Sequence, residues 1–471
     1  MPHKPSLRLT ENDADTASTS CDVVIADLPP VTAGTTTLTE DALALSFCAA
    51  EPALRYVARW NQWMIWDGMR WREDDTLMVF DRIRQHVRRV VVKSPGNSTA
   101  LTKAQTVAAI ERLARADRRY AATIDQWDVD DWILNTPGGV VDLRTGERRT
   151  HDPEWYLTKI TAAAPGGDYT TWLKFLCDIT AGDADYIAFL QRVIGYAATG
   201  STREHALFFL YGSGGNGKGT FLNTVQRVLA EYATVAPMEV FTESKHDRHP
   251  TELAMLRSAR LVLAQETEEG RAWAESKIKA LTGGDPITAR HMRQDFFTFT
   301  PKLKLMIAGN HKPTLRNVDE AMQRRLHLLP FTVTFSKVQR DPNLADKLMA
   351  EAGGILQWII DGALAYLREG LSPPAVVSEA TADYFSTENL FEQWLADCCD
   401  QGSDYWATAT HLFASWKHYA ETGNEPTGTQ KLLAERLLAA GFHNGNTRAK
   451  GGRHWDGLRV ATTSTGRTDG H

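Results

Sequence analysis

Gly212-Ser-Gly-Gly-Asn-Gly-Lys-Gly-Thr220 decides the reading of this chain. It follows an apolar run, Leu207-Phe-Phe-Leu-Tyr211, and precedes Phe221-Leu222, so a glycine-rich loop joins a predicted strand to the first turn of a predicted helix. Glycines let successive backbone N–H groups converge on a phosphate, and the helix N-terminus adds its partial positive charge. Lys218 is placed to reach the outer phosphates of a nucleoside triphosphate. Gly212, Ser213, Gly214, Gly215, Asn216, Gly217, Lys218, Gly219 and Thr220 are therefore the candidate nucleotide-binding residues, with ATP the expected ligand. In the usual pattern a Ser or Thr directly after the lysine binds magnesium. Gly219 stands there instead, and Thr220, one residue on, becomes the candidate Mg2+ ligand.

The chain has 471 residues, of which 43% are hydrophobic, and 52 Lys or Arg stand against 58 Asp or Glu. That length exceeds what one compact core serves and predicts about two to four domains. A net charge of −6 excludes a protein that coats a polyanion with its whole surface, so nucleic-acid contacts are expected on local basic patches. Cys21, Cys48, Cys177, Cys398 and Cys399 are scattered without Cys-x-x-Cys spacing, which suggests neither a disulfide framework nor a zinc site. No run of about 18 apolar residues occurs, and the N-terminus lacks the apolar region of a signal peptide. A reducing cytoplasm and no membrane partner are the expectation.

Residues 1–40 are rich in Ser, Thr, Asp and Pro and are expected to be disordered. A mixed α+β module over 41–165 follows. It begins with helical spacing from Asp41 to Trp60, continues with a hairpin turning at Asp67-Gly68, and holds two amphipathic helices near 76–92 and 103–117. Short strands near Trp132–Asn135 and Gly139–Leu143 close it. Ala164-Pro-Gly-Gly-Asp168 marks a boundary, after which a helical run over Thr171–Thr199 opens a core spanning 168–335. Apolar strands at Leu207–Tyr211, Arg260–Ala264, Leu303–Ala308 and Leu326–Pro330 alternate with helices, predicting an α/β fold with a mainly parallel sheet. A helical segment, 336–385, a small domain, 386–461, and a polar tail, 462–471, complete the chain.

Downstream residues narrow the chemistry. Arg260-Leu-Val-Leu-Ala-Gln-Glu266 is an apolar strand delivering a carboxylate, suited to holding magnesium or polarising an attacking water; Glu266 is the candidate for both roles. Asn310 follows a further apolar strand, where its amide could orient water against a γ-phosphate. Arg324 and Arg325 precede the last strand, and arginine suits a transferring phosphoryl group because its planar fork stays protonated.

With these residues in order, the chain resembles the superfamily 3 helicases, in particular the ATPase part of phage and plasmid primase-helicases of the poxvirus D5-like type. Gly212–Thr220 matches motif A, Leu261–Glu266 motif B, Lys279–Arg290 motif B-prime, and Lys304–Asn310 with His311-Lys-Pro313 motif C. Trp132–Asn135, Asp142–Gly146 and His151–Pro153 resemble the family's preceding N-terminal module. Gln265, where many relatives carry a second acid, and Gly219 depart from the pattern. The resemblance implies a P-loop NTPase (AAA+-like) core in a homo-oligomeric ring, usually a hexamer. An arginine from the neighbouring subunit, Arg325 or Arg324 here, would complete each ATP site. It also implies a channel hairpin whose strands are Ile287–Met292 and Phe296–Thr300, with Arg290, His291 and Arg293 contacting DNA. Relatives often carry a primase domain ahead of the helicase. Asp128-Val-Asp130 lacks the matching His and third acid, so priming is not expected of this chain, and a separate primase or polymerase is the implied partner.

At the C-terminal end, helical runs at His411–Tyr419 and Thr429–Ala440 precede a glycine-containing hairpin over Asn444–Val460, the order of a winged helix. Between Lys431 and Arg459 six Lys or Arg stand against two acids, and Arg448, Lys450 and Arg453 are the candidate DNA contacts of the wing. The expectation is an ATP-driven, superfamily 3 DNA helicase or translocase. It would act on single-stranded or forked DNA during replication of a phage, prophage or plasmid in a bacterial cytoplasm. Two rivals remain: a small-molecule kinase, and a nucleotide-gated origin-binding scaffold without turnover.

Overall fold

The computed structural model describes residues 38–93, 101–243, 251–265, 273–290, 295–310, 320–422, 427–447 and 452–461. The expected disordered arm lies almost wholly outside them, as does the polar tail.

The first helix, Glu40–Ala50, starts at Thr39, whose hydroxyl accepts from the Ala42 N–H at 3.2 Å. It ends at Ala50, well short of the Asp41–Trp60 run that its apolar spacing implied. Pro52 disfavours helical geometry at the residue before it, and Leu54–Val57 becomes a strand, β1. β1 pairs antiparallel with β2 (Gln62–Trp66), which pairs with β3 (Trp71–Glu73). The β2–β3 turn takes four residues rather than two, because the Asp67 carboxylate accepts the Met69 and Arg70 N–H groups at 2.9 Å each and holds a wider loop. Helices Met78–Lys93 and Ala104–Ala116 pack on the first helix through Leu43, Phe47, Ile83, Val87, Ile110 and Tyr120. β4 (Ile133–Thr136), β5 (Gly139–Asp142) and β6 (Arg148–Arg149) form an antiparallel meander.

The expected helical run after residue 170 is two helices, Thr170–Ile179 and Ala184–Ala198. Ala181 and Gly182 adopt positive φ between them, and the Asp183 side chain caps the second by accepting from the Tyr186 N–H at 2.9 Å. The central sheet contains β7 (Leu207–Tyr211), β8 (Ala233–Val235) and β9 (Leu261–Gln265). An antiparallel hairpin of β10 (Ile287–Arg290) and β11 (Phe296–Phe299) intervenes before the last two sheet strands, β12 (Lys304–Gly309) and β13 (Leu326–Pro330). The order is β13-β7-β12-β9-β8, and every pairing is parallel.

Both sheet faces are covered, which is why these strands read as unbroken apolar runs. Phe208, Leu210, Met306 and Ala308 point to one side, against Phe189, Val193, Phe221, Val225, Ile355 and Ile359 of the flanking helices. Leu207, Phe209, Leu305 and Ile307 point to the other, against Phe241, Leu281, Met322 and Tyr384. The alternation is the period of two that a strand imposes.

The helical segment after β13 is broken at Glu351 into Leu344–Ala350 and Ala352–Glu369. The Glu351 carboxylate accepts from the Thr171 and Trp172 N–H groups at 2.9 Å each, capping the helix Thr170–Ile179. A 24-residue helix, Ala375–Cys398, then runs without a break through positions 385 and 386. It leads into β14 (Cys399–Thr408), which the sequence reading lacks. Helices Ala409–Thr422 and Gln430–Ala439 follow, then β15 (His443–Thr447) and β16 (Gly452–Val460). The antiparallel order β14-β16-β15 closes over Trp394, Trp416, Leu433, Leu437 and Trp455.

Candidate nucleotide-binding site

The glycine loop leaves the C-terminal end of β7 and enters the helix Lys218–Leu229. Gly217, at φ +87°, caps that helix, and a Cβ there would fall 2.5 Å from Ile179 Cγ2, so both the turn and the packing require glycine. The segment after β13 forms the back wall. The Phe331 N–H donates to Tyr211 O at 2.8 Å, and the Phe335 N–H donates to Gly215 O at 3.0 Å. Asn216 Nδ2 donates to Phe331 O at 2.9 Å, and the Ser213 and Thr334 hydroxyls lie 3.1 Å apart. Buried Asn216 is thus the residue that staples the loop to its wall.

Lys218 is buried, its Nζ donating to Gly212 O at 2.5 Å, so its ammonium folds back over the loop. Burial pushes its pKa below the ordinary lysine range. β12 lies beside β7 with Gly309 in register with Tyr211, which puts exposed Asn310 level with Gly212. Loop, lysine and amide therefore meet at the carboxyl ends of adjacent parallel strands, where open α/β sheets bind ligands. Gly219 faces open space, with no atom within 4 Å of a Cβ built there. Thr220 is half-buried one position on, turned about 100° around the helix axis from it.

Among the described residues, no group of three His, Cys, Asp or Glu could hold a metal ion. Magnesium binds through few protein groups plus substrate phosphates, so a single hydroxyl and a carboxylate suit it, and Thr220 is the described residue available. Glu266, the expected carboxylate, lies outside the described residues, as do His291, Arg293, Arg448 and Lys450. Asp128 and Asp130 are engaged locally. The Asp128 carboxylate accepts from the Thr158 N–H at 2.9 Å, and Asp130 accepts from the Trp132 N–H at 2.9 Å and from Arg144 at 3.0 Å.

The two arginines ahead of β13 differ. Arg325 is buried, with Nη1 donating to Ala321 O at 2.8 Å and Nη2 lying 3.3 Å from His205 Nδ1, whereas Arg324 is exposed. Leu326 is in register with Leu207, so both sit at the end of the sheet opposite the glycine loop, roughly 16 Å away along the strand. On the β10–β11 hairpin, half-buried Arg290 lies 5.0 Å over the ring of Phe296, which is 58% exposed. In the C-terminal unit Arg453 is exposed. Arg459 pairs with Asp400 at 2.9 Å, Lys431 with Glu435 at 3.5 Å, and Arg436 packs between Phe391 and Trp416.

Sequence reasoning missed two features. Residues 78–119 hold ten Lys or Arg against three acids, with Arg84, Arg88, Arg89, Arg112 and Arg118 exposed, and a windowed charge count finds this. The buried cations near the junction of the N-terminal module and the core carry no such signal. Arg260 donates to Ala198 O and Ile133 O at 2.8 Å each, and buried Lys304 donates to Thr199 O, Ser201 O and Lys302 O at the C-terminal end of the helix Ala184–Ala198. Arg257 lies 4.9 Å from the Trp60 ring and 5.2 Å from the Phe297 ring, bridging the module to the hairpin.

Fold and site define a mixed α/β protein whose parallel sheet presents a glycine-rich strand–loop–helix turn at its carboxyl edge. The D5 N terminal like family model matches residues 44–181, and a family of unknown function, DUF5906, matches 210–325. Over 44–181 the chain is thus similar to the D5 N terminal like family. It is 24% identical over 295 residues to a protein of Acanthamoeba polyphaga mimivirus, covering 57% of this chain and 31% of that one. To a frog virus 3 protein it is 22% identical over 285 residues, 56% of this chain and 29% of that one. To an invertebrate iridescent virus 6 protein it is 25% identical over 238 residues, 47% of this chain and 24% of that one. Each bears the name "putative helicase", and each match spans less than a third of the relative's length. The apo structure of the NrS-1 C-terminal region aligns over 90% of this chain and all of that one, at 9% identity and a TM-score of 0.44. Among the described residues no helix is long and apolar enough to cross a membrane.

Proposed function

We propose that this chain is an ATP-dependent DNA helicase or translocase of the superfamily 3 type, working as a ring in the replication of a viral or plasmid element. The observation that carries the reading is the glycine loop with Lys218 at its base and Asn310 level with its first residue. Loop N–H groups and Lys218 hold the phosphates of ATP, and Thr220 and Glu266 would hold, together with those phosphates, a magnesium ion that would supply charge neutralisation there. Asn310 and Glu266 orient and deprotonate a water whose oxygen attacks the γ-phosphorus. The bond to the β–γ bridging oxygen breaks, and ADP carries the electron pair away.

Arg324 is the better candidate for a residue supplied to a neighbour's site. Its side chain is exposed while that of Arg325 is bound within its own subunit, and both lie too far from their own loop to serve it. The β10–β11 hairpin, through Arg290 and Phe296, and His291 and Arg293 of the sequence between its strands contact single-stranded DNA by phosphate pairing and stacking. The helices Ala409–Thr422 and Gln430–Ala439 with the β15–β16 hairpin act as a winged helix on duplex DNA through Arg448, Lys450 and Arg453. The basic helices over 78–119 support a nucleic-acid partner.

Phosphate release measured with and without single-stranded DNA, for the unaltered chain and for Lys218→Ala, tests the reading. Hydrolysis stimulated by DNA and lost in Lys218→Ala is expected. No turnover at saturating DNA would leave a nucleotide-gated scaffold, and turnover that needs a small-molecule acceptor would leave a kinase.

A further inference from the structure

Arg340 lies 125 residues beyond Gly215, yet the two touch. A Cβ placed on Gly215 would fall 2.1 Å from Arg340 Nη2 and 2.9 Å from its Cζ, so the guanidinium rests directly on the Gly215 Cα. Gly215 also adopts φ +80°. Glycine is therefore favoured here by the backbone, and its missing Cβ is what lets the guanidinium approach this closely.

The contact is braced. Arg340 Nε donates to Phe335 O at 3.1 Å, and the Phe335 N–H donates to Gly215 O at 3.0 Å, which ties the arginine's base and the loop to one residue. The turn leading into Arg340 is closed by Ser336, whose N–H and hydroxyl both donate to Gln339 Oε1 at 2.9 Å. The adjacent acid, Asp341, is taken by Lys347 at 2.6 Å. Among the described residues no carboxylate pairs with Arg340, and neither Nη group has a hydrogen-bond acceptor. An exposed guanidinium held on a glycine loop presents the parallel N–H donors that phosphate oxygens accept.

We propose that Arg340 binds the outer phosphates of the nucleoside triphosphate from within the same subunit, its Nη groups completing the cradle formed by the loop and Lys218. This rests on the reading of Gly212–Thr220 as the nucleotide site and adds to it a cis cation that none of the strand-end motifs contains. Arg340 differs in role from Arg324, which lies at the end of the sheet opposite its own loop.

The test is equilibrium titration of a fluorescent ATP analogue and its ADP counterpart, in magnesium buffer, against the full chain and against Arg340→Ala, Arg340→Gln and Lys218→Ala. The melting temperature of each without nucleotide is recorded in parallel. Charge-assisted hydrogen bonds of this kind predict about 10- to 100-fold weaker ATP binding in Arg340→Ala, with a smaller loss for ADP. If Arg340→Ala melts lower, Arg340→Gln, which keeps a donor for Phe335 O and removes only the charge, decides by the same titration. ATP affinity retained in the Arg340 variants but lost in Lys218→Ala overturns the proposal and leaves the nucleotide site standing. Affinity unaffected by Lys218→Ala overturns the site itself.

Discussion

Gly219 and its open surroundings carry a consequence for metal binding. If the position after the lysine faces the phosphates, a hydroxyl restored there supplies the ligand that Thr220, turned about 100° away, provides less directly. Gly219→Thr is expected to lower the magnesium concentration needed for half-maximal hydrolysis several-fold, and Thr220→Ala to raise it. A magnesium titration that places both variants on the unaltered curve would remove both residues from the metal. The two arginines separate in the same way. Arg325→Ala strips a buried side chain from Ala321 O and is expected to cost about 1–3 kcal/mol in urea-unfolding stability. Arg324→Ala is expected to leave stability alone and lose hydrolysis, partly restored when its subunits are mixed with Lys218→Ala subunits. No restoration in demonstrably mixed rings would sink the shared site. The loop was legible because its chemistry is local: five glycines, one lysine and an apolar strand on its N-terminal side. The contact of Arg340 with Gly215 was not, since nothing in the order of residues says that the chain after β13 folds back across the loop.

At the scale of elements, β13 holds a half-buried titratable ring. His327 stacks on Phe208 with centroids 5.4 Å apart and lies 6.4 Å from Phe189, and burial lowers its pKa from 6.5 to about 4. The imidazole is therefore neutral in the fold at neutral pH. An unfolded chain takes up the proton first, so stability present above pH 6.5 is lost as the pH falls from 6.5 towards 4. Between pH 7.5 and pH 5 the expected loss is about 2 kcal/mol. Urea midpoints at those two pH values should converge in His327→Phe, and an equal drop in both proteins would assign the acid sensitivity elsewhere. The β10–β11 hairpin makes a second element-scale expectation. Arg290→Ala should lower the dependence of single-stranded DNA binding on salt by about 0.7 in the log–log slope, as one fewer phosphate contact releases fewer counterions. An unchanged slope would place Arg290 as the structural companion of Phe296 alone. Strands of the central sheet were legible because burial on both faces makes them continuous and apolar. β1 was hidden because Leu54–Val57 extends a helical spacing that only Pro52 interrupts, and β14 because Cys399–Thr408 is short of apolar residues and mostly exposed.

Across the whole molecule, the surplus of seven positive charges within 78–119 leaves the remaining chain more acidic than its net −6. Charge alone does not reveal how the parts meet, and the buried cations at the module–core junction, Arg260 and Lys304, read in the sequence as ordinary strand-flanking residues. A different link joins the sheet to the C-terminal unit. The helix Ala375–Cys398 places Tyr384 and Phe385 in the core beneath the sheet, and Phe391 and Trp394 in the core of the terminal unit, about 36 Å of continuous backbone in all. Such a rod transmits torque: a twist applied at one end arrives at the other unless the helix itself breaks. Its phase can be reset by inserting residues between Phe385 and Phe391. One alanine would rotate the terminal unit by about 100° relative to the sheet, while seven would return it to within about 20° of its starting angle at about 10 Å greater separation. If the terminal unit must face a fixed direction when it holds DNA, DNA-stimulated hydrolysis should collapse with one inserted alanine and recover with seven. Loss in both would make distance, rather than angle, the quantity this rod sets.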